Sequence, residues 1–450
     1  MSSRPREVLS LFDAVALTVG IVVGAGIFKT PSLIAAEASS GTLVLAAWLL
    51  GGLISLLGAL CYAELASTYP DAGGEYHFLS RAYGRGVGFL FAWSRLLVVQ
   101  TGSIALLGFV LGDYLNALAP LGRYGPAFYA GAAIVVFTAI NMAGWYGTTR
   151  LQRLLTLITL GGLLLIVAAA PLLQPAAAPA AAPPPASSGS TFGLMMIFVL
   201  LTFGGWNEAA YLSAEVRDRQ RNIVRALVMS IALITTLYLG VNVALLWGLG
   251  LGGTAASPTP FSALAERLFG SLGADLTALL IAIVVLASLN ATILTGARSA
   301  YALARDHRLF SGLAHWNPTA GAPRAALLLQ GAIALLLVVF GGWARRGFEL
   351  MVEYVSPVFW LFFLLSALSL FVLRARAPQA PRGFRVPGYP WTPALFAAAC
   401  AFLLYASVRH TGICAILGLV VIAAGLPALY FSHRLSTASP SYPPNTPSKE

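Results

Sequence analysis

The chain has 450 residues, 58% of them hydrophobic and 10% charged, against roughly 25% charged in soluble proteins. With a mean hydropathy of +0.81, this composition excludes the soluble multidomain protein that length alone would suggest. The formal net charge of +11 invites a nucleic-acid reading, which the placement of the basic residues removes.

Apolar runs of about 20 residues, each long enough to cross a bilayer, recur along the chain. They predict twelve membrane spans, near 10–36, 42–69, 85–117, 125–143, 151–173, 192–214, 223–250, 272–303, 325–342, 349–373, 391–408 and 411–432. The fold class that follows is an all-α polytopic membrane protein. The first run is too long and too Gly-rich in its middle for a cleavable signal peptide, so it is read as the first span. An even number of spans puts both termini on one side. Twenty of the 27 Lys and Arg residues then fall on that side. Five (Arg123, Arg267, Arg345, Arg346 and Arg409) lie opposite, and Lys29 and Arg95 lie inside spans. This bias makes the terminal side cytoplasmic. It explains the positive charge as a topology signal, with no nucleic-acid partner.

The first span is interrupted by Gly24-Ala25-Gly26. If the helix stops there, the next half-helix begins near Ile27, and its unpaired N–H groups form a positive dipole end that suits a carboxylate. Glycine lets the chain leave helical geometry and lets a ligand approach the backbone. Glu64, near the inner end of the second span, reads as a partner for loop arginines. Arg95, in the third, either snorkels to the cytoplasmic face or pairs with a carboxylate, and snorkelling is favoured. The uncharged Pro/Ala-rich stretch 174–191 reads as an external loop.

The sixth span carries the second interruption, Leu201-Thr202-Phe203-Gly204-Gly205-Trp206-Asn207-Glu208. Its carbonyls would suit an ammonium group. A carboxylate site facing an ammonium site describes the backbone of an α-amino acid. Interrupted spans in both halves of a polytopic chain are the best sequence pointer to a secondary transporter's midplane site. The competing reading makes each glycine pair a close-packing face. Glu208 directly follows the break and either carries a proton or contacts substrate, or else caps the restarting half-helix. The arginines from Arg217 to Arg225 read as a topology determinant, and 434–450 as a disordered tail.

Several chemistries find no support. Cys61, Cys400 and Cys414 fall inside spans, the five histidines lie in separate segments, and no zinc spacing occurs. Neither lysine follows a glycine, which excludes a Walker-type phosphate loop. No metal, no cofactor and no enzyme activity is expected.

Gly24-Ala25-Gly26-Ile27-Phe28 with Pro31 resembles the first-helix signature of the amino acid–polyamine–organocation permeases. Cys61-Tyr62-Ala63-Glu64-Leu65, Tyr69-Pro70 and Gly73-Gly74-Glu75-Tyr76 are similar to the end of that family's second helix and the following loop. Phe203-Gly204-Gly205-Trp206-Asn207-Glu208, then Glu215-Val216 and Arg221-Asn222-Ile223, resemble the sixth-helix region of its L-type amino acid branch. Asn290-Ala291-Thr292, Arg298-Ser299, Arg305-Asp306 and Arg385-Val386-Pro387-Gly388-Tyr389-Pro390 extend the likeness to the C-terminal third.

This resemblance implies a LeuT-type fold. Two inverted five-helix repeats, 10–173 and 192–373, follow a cytoplasmic N-terminus of residues 1–9. A cytoplasmic loop, 374–390, leads to two added spans within 391–433. It further implies that Ala25, Gly26 and Ile27 hold the substrate carboxylate, and that carbonyls of Val22, Leu201 and Gly204 hold the amine. Gly24 and Gly205 complete the two breaks, and Trp206 and Asn207 match positions near the pocket. Phe203 is at best a substitute for the usual gating aromatic, where this chain has Leu201. Thr159 stands where several relatives carry a lysine, so a sodium ion bound with help from Thr159 and Ser288 competes with a cation-free exchanger.

The expected function is a bacterial plasma-membrane permease or exchanger for amino acids. An apolar side-chain pocket of Ile27, Phe203 and Trp206 points to neutral ones. A cationic amino acid or polyamine permease stays open through Glu208, as does a non-transporting sensor. Eukaryotic L-type relatives link to a partner chain through a cysteine in the external loop between the third and fourth spans. Residues 119–125 hold none, so no disulfide-linked partner subunit is expected. The sequence leaves the oligomeric state open.

Overall fold

Ser10 starts the first helix with a reciprocal cap. Its hydroxyl accepts the Asp13 N–H at 3.2 Å while the Asp13 carboxylate accepts the Ser10 N–H at 3.1 Å. In the computed structural model, which describes residues 10–69, 74–143, 149–175, 189–207, 216–317, 323–344, 346–410 and 412–437, this helix (α1, Leu11–Val22) ends within the apolar run. α2 (Gly26–Glu37) restarts it at an angle of 50°. α3 (Gly41–Thr68), the short α4 (Glu75–Tyr83) and α5 (Arg85–Ser94) follow. A π-helical stretch, Arg95–Gln100, joins α5 to α6 (Thr101–Leu118). Next come α7 (Gly125–Ala143), α8 (Thr149–Ala169), α9 (Gly189–Thr202) and α10 (Arg219–Ala256). α11 (Pro260–Asp306), α12 (Arg324–Ala344), α13 (Gly347–Arg376), α14 (Trp391–His410) and α15 (Gly412–Thr437) complete the chain.

Among the described residues, eight helices are long and apolar enough to cross a membrane, and the bent pair α1–α2 makes a ninth. Three shorter apolar helices, Leu157–Leu172, Phe192–Thr202 and Ile416–Tyr430, occupy places where the sequence predicts spans. The seventh and eighth spans differ from expectation. α10 and α11 run past 223–250 and 272–303 because each bends at a glycine, Gly250 and Gly270, both at φ 72°. A left-handed glycine redirects a helix without a full break in its apolar run.

The helices pack as two groups. α10 lies against α1, α2 and α3, with α9 on α2 and α3; α6 lies against α7, α11 and α12. α13 touches α3, α6 and α14. Lipid supplies no hydrophobic drive between helices, so close backbone approach must supply the packing. α3 shows this: a Cβ at Gly51 would strike Val199 of α9, and one at Gly52 would strike Thr235 of α10.

At one end of α3, Glu64 is 1% exposed and binds three partners. Arg374 donates from Nε at 2.8 Å and Nη2 at 2.5 Å, Arg382 Nε lies at 3.4 Å, and the Val386 N–H donates at 2.7 Å. The expectation of a structural partner for loop arginines is met, and this node ties α13 and the following loop to α3.

Candidate functional site

The chain leaves helical geometry at both predicted interruptions. After α1, the Gly24 N–H turns back to the Val22 carbonyl at 2.8 Å, and Phe28 N–H reaches only Ala25 O at 3.2 Å. The backbone N–H groups of Ala25, Gly26 and Ile27 make no hydrogen bond among the described residues. They are the orphan donors that open a helix, aligned with its positive dipole end. In the second break, α9 ends at Thr202 and Gly205 takes φ 110°. A Cβ on Gly205 would sit 3.0 Å from the Ile21 side chain. Here glycine is required by conformation and by clearance.

A residue outside the sequence reading joins the breaks. The Tyr238 hydroxyl, on α10, lies 3.0 Å from Val22 O and 3.3 Å from Thr202 O, the last helical carbonyls before each interruption. Thr202 Oγ1 also meets Thr30 Oγ1 at 2.8 Å, which links α9 to α2. Val22 O therefore already accepts from Gly24 and Tyr238, and Leu201 O from Gly204 N at 3.0 Å. One tyrosine in an apolar helix gave no sequence signal for this role.

Between the two helix groups the breaks face a cavity of about 340 Å³. Its walls include Val22, Gly24, Ala25, Gly26, Leu201, Gly204, Gly205, Asn207 and Ser288. Ile27, Phe203 and Trp206 are not in its walls. Ile27 and Phe203 are fully buried, Phe203 against Tyr238 and Trp48 at ring distances of 5.1 and 6.0 Å. Trp206 packs against Tyr62 and Phe363 at 5.1 and 5.6 Å. Thr159 is buried outside the walls, and Glu208 lies outside the described residues.

The walls are more polar than an apolar pocket of Ile27, Phe203 and Trp206 would be, since they also contain Glu75, Arg95, Gln100, Ser103, Thr292 and Thr295. Glu75 accepts from the Tyr62 hydroxyl and from Asn207 Nδ2 at 3.3 Å, with Arg95 Nη1 at 3.9 Å. Arg95 thus turns inward to a carboxylate, and snorkelling is corrected. The charge of a half-neutralised pair inside the protein is less costly than that of a lone guanidinium near lipid. Aromatic rings of α13 (Phe359, Phe362, Phe363) close the apolar part.

The far half of the first span is pinned to its neighbours. Lys29 Nζ meets Asp113 of α6 at 2.7 Å and the Pro258 carbonyl at 3.4 Å, the Tyr114 hydroxyl donates to Phe28 O at 2.8 Å, and Phe28 packs edge-on to Phe261 at 5.1 Å. These contacts hold α2 against α6 and the start of α11. Among the described residues no group of three His, Cys, Asp or Glu could hold a metal ion.

A family model described as amino acid permease matches residues 9–421. The serine/threonine exchanger SteT of Bacillus subtilis (strain 168) is 27% identical over 435 residues, covering 94% of this chain and 96% of the relative. The large neutral amino acids transporter small subunit 2 of Homo sapiens is 28% identical over 445 residues, 95% of this chain and 82% of the relative. The Asc-type amino acid transporter 1 of Mus musculus is 27% identical over 441 residues, with 94% and 81% covered.

Proposed function

The chain belongs to the amino acid permease family, and from that premise we propose that it moves neutral amino acids across a bacterial plasma membrane by alternating access. It is a multi-pass membrane transporter and not an enzyme. Counting the three shorter apolar helices with the nine candidates gives twelve spans in the proposed topology. We assign them to two inverted five-helix repeats and two added helices, with both termini cytoplasmic by the arginine bias.

The observation that carries the reading is the cavity at the paired breaks, whose walls include Ala25 and Gly26, two of three adjacent residues whose N–H groups lack acceptors among the described residues. A substrate carboxylate on Ala25, Gly26 and Ile27 supplies the missing acceptors at a positive helix end. The amine faces Gly204 and Leu201; the Val22 carbonyl contributes less, because two donors already occupy it. One group of helices then rocks about the other. The serine/threonine exchanger and large neutral amino acid transporter among its relatives fit a neutral substrate. A cationic substrate is the second reading, favoured by Glu75 in the wall and opposed by Arg95 beside it. We expect no disulfide-linked subunit, since 119–125 holds no cysteine. Counterflow of labelled amino acids in proteoliposomes tests transport itself. Accumulation driven by unlabelled neutral amino acid inside supports the reading, and preference for lysine or putrescine replaces it with the second.

A further inference from the structure

The cavity wall formed by α11 and the π-helical stretch presents hydrogen-bond acceptors. Thr292 Oγ1 donates its proton to Ser288 O at 2.8 Å, and Thr295 Oγ1 donates to Ala291 O at 3.0 Å. Each hydroxyl spends its one proton on a helix carbonyl, so it has only acceptor capacity left for a ligand; Thr295 Oγ1 also takes a long hydrogen bond from Gln100 Nε2 at 3.5 Å, which leaves it one free lone pair. Gln100 adds a third acceptor. Its Nε2 donates to Thr292 O at 2.7 Å, which fixes the orientation of the amide. Its Oε1 accepts no hydrogen bond among the described residues and is not sealed from the cavity that Gln100 lines. The amide can lie flat here because residue 296 is glycine, where a Cβ would collide with Gln100 Cγ. The π turn ending at Gln100 sets its register, and such turns recur at functional sites.

From this wall we infer that the substrate is an amino acid whose neutral side chain carries an O–H or N–H donor, with Gln100 as a specificity-determining residue. The inference rests on the proposed transport function and narrows its substrate class. α11 begins the wall at Ser288, whose Oγ would lie 3.7 Å from a Cβ on Gly24. Thr292 and Thr295 follow one and two turns on, so a side chain leaving a backbone held at Gly24–Gly26 runs along this row. An apolar side chain would expel water and leave the acceptors unpaired, whereas a donor satisfies them; polar discrimination of this kind is the strong kind. Arg95 in the same cavity disfavours a side-chain ammonium.

The test measures kcat/KM for labelled substrates in proteoliposomes of the full chain, using pairs of similar size: threonine against valine, and glutamine against methionine. At least one donor-bearing member should exceed its apolar counterpart tenfold in the unmodified protein. Gln100→Leu should cut that ratio to under threefold. Thr295→Val, isosteric and therefore safe for folding, should lower the ratio in the same direction and decides the matter where Gln100→Leu does not fold. Ratios near one in both pairs, ratios unchanged in the variants, or a preference for lysine would overturn the inference. Absence of counterflow with every amino acid would instead overturn the transport reading beneath it.

Discussion

Gly26 lies in the cavity wall, against the end of α9. A Cβ there would already lie 3.2 Å from the Thr202 side chain, and the two methyl groups of valine would push into the backbone donors that face the cavity. Gly26→Val is expected to lower uptake at least tenfold while leaving expression and monodispersity in detergent unchanged; near-normal affinity in a well-folded variant would contradict the carboxylate assignment. Gly24, Gly26, Gly204 and Gly205 were legible in the sequence because glycine pairs interrupt one apolar run in each half of the chain, a pairing that points to a midplane site. Tyr238, Glu75 and Gln100 were not, because each is a lone polar residue whose meaning depends on what another helix brings to it. Arg95 was misread for the same reason: Glu75, its partner, lies on a different element. Glu208→Gln asks a question that lies outside the described residues. Loss of gradient-driven accumulation with exchange retained is the outcome expected of a proton carrier.

At the scale of elements, α2 is held against α6 and α11 by the Lys29–Asp113 pair, the Tyr114 hydroxyl and the Phe28–Phe261 contact. Any opening on that side must break them together. Lys29→Met with Asp113→Asn is expected to raise labelling of a Ser103→Cys reporter by an impermeant thiol reagent from the α2 side severalfold; unchanged labelling would show that the pair is no latch. The native Cys61 and Cys400 are buried, and the reporter is built in a Cys414→Ser background to remove the third cysteine. The Glu64 node behaves differently, as a fixed anchor. Glu64→Gln leaves Arg374 and Arg382 without their carboxylate, at a cost of about 3 kcal/mol for a broken buried pair. A clearly lower thermal midpoint in detergent is expected, and an unchanged one would make the node a surface feature. Glu64's arginine partners were foreseeable from charge alone. The extent of α10 and α11 was not, since a glycine bend is invisible to an apolar count.

For the whole molecule, two helix groups meet at the cavity, and both interruptions belong to the same one, with α10 joining them through Tyr238. That division suits movement of one group against the other. Composition made the helical membrane class legible, but only packing shows which helices move together. If Thr159 stands where the resemblance places a lysine, it brings no cation there, and on that reading uptake should not depend on sodium. Replacing sodium by choline at fixed pH and potential is expected to change uptake less than tenfold, about 1.4 kcal/mol if read as affinity. The most direct measurement is counterflow in proteoliposomes loaded with unlabelled neutral amino acids and given a labelled one outside, without an ion gradient. Transient accumulation of label above equilibrium, abolished in Gly26→Val, is the expected result. A folded, reconstituted protein that accumulates no amino acid would contradict the account.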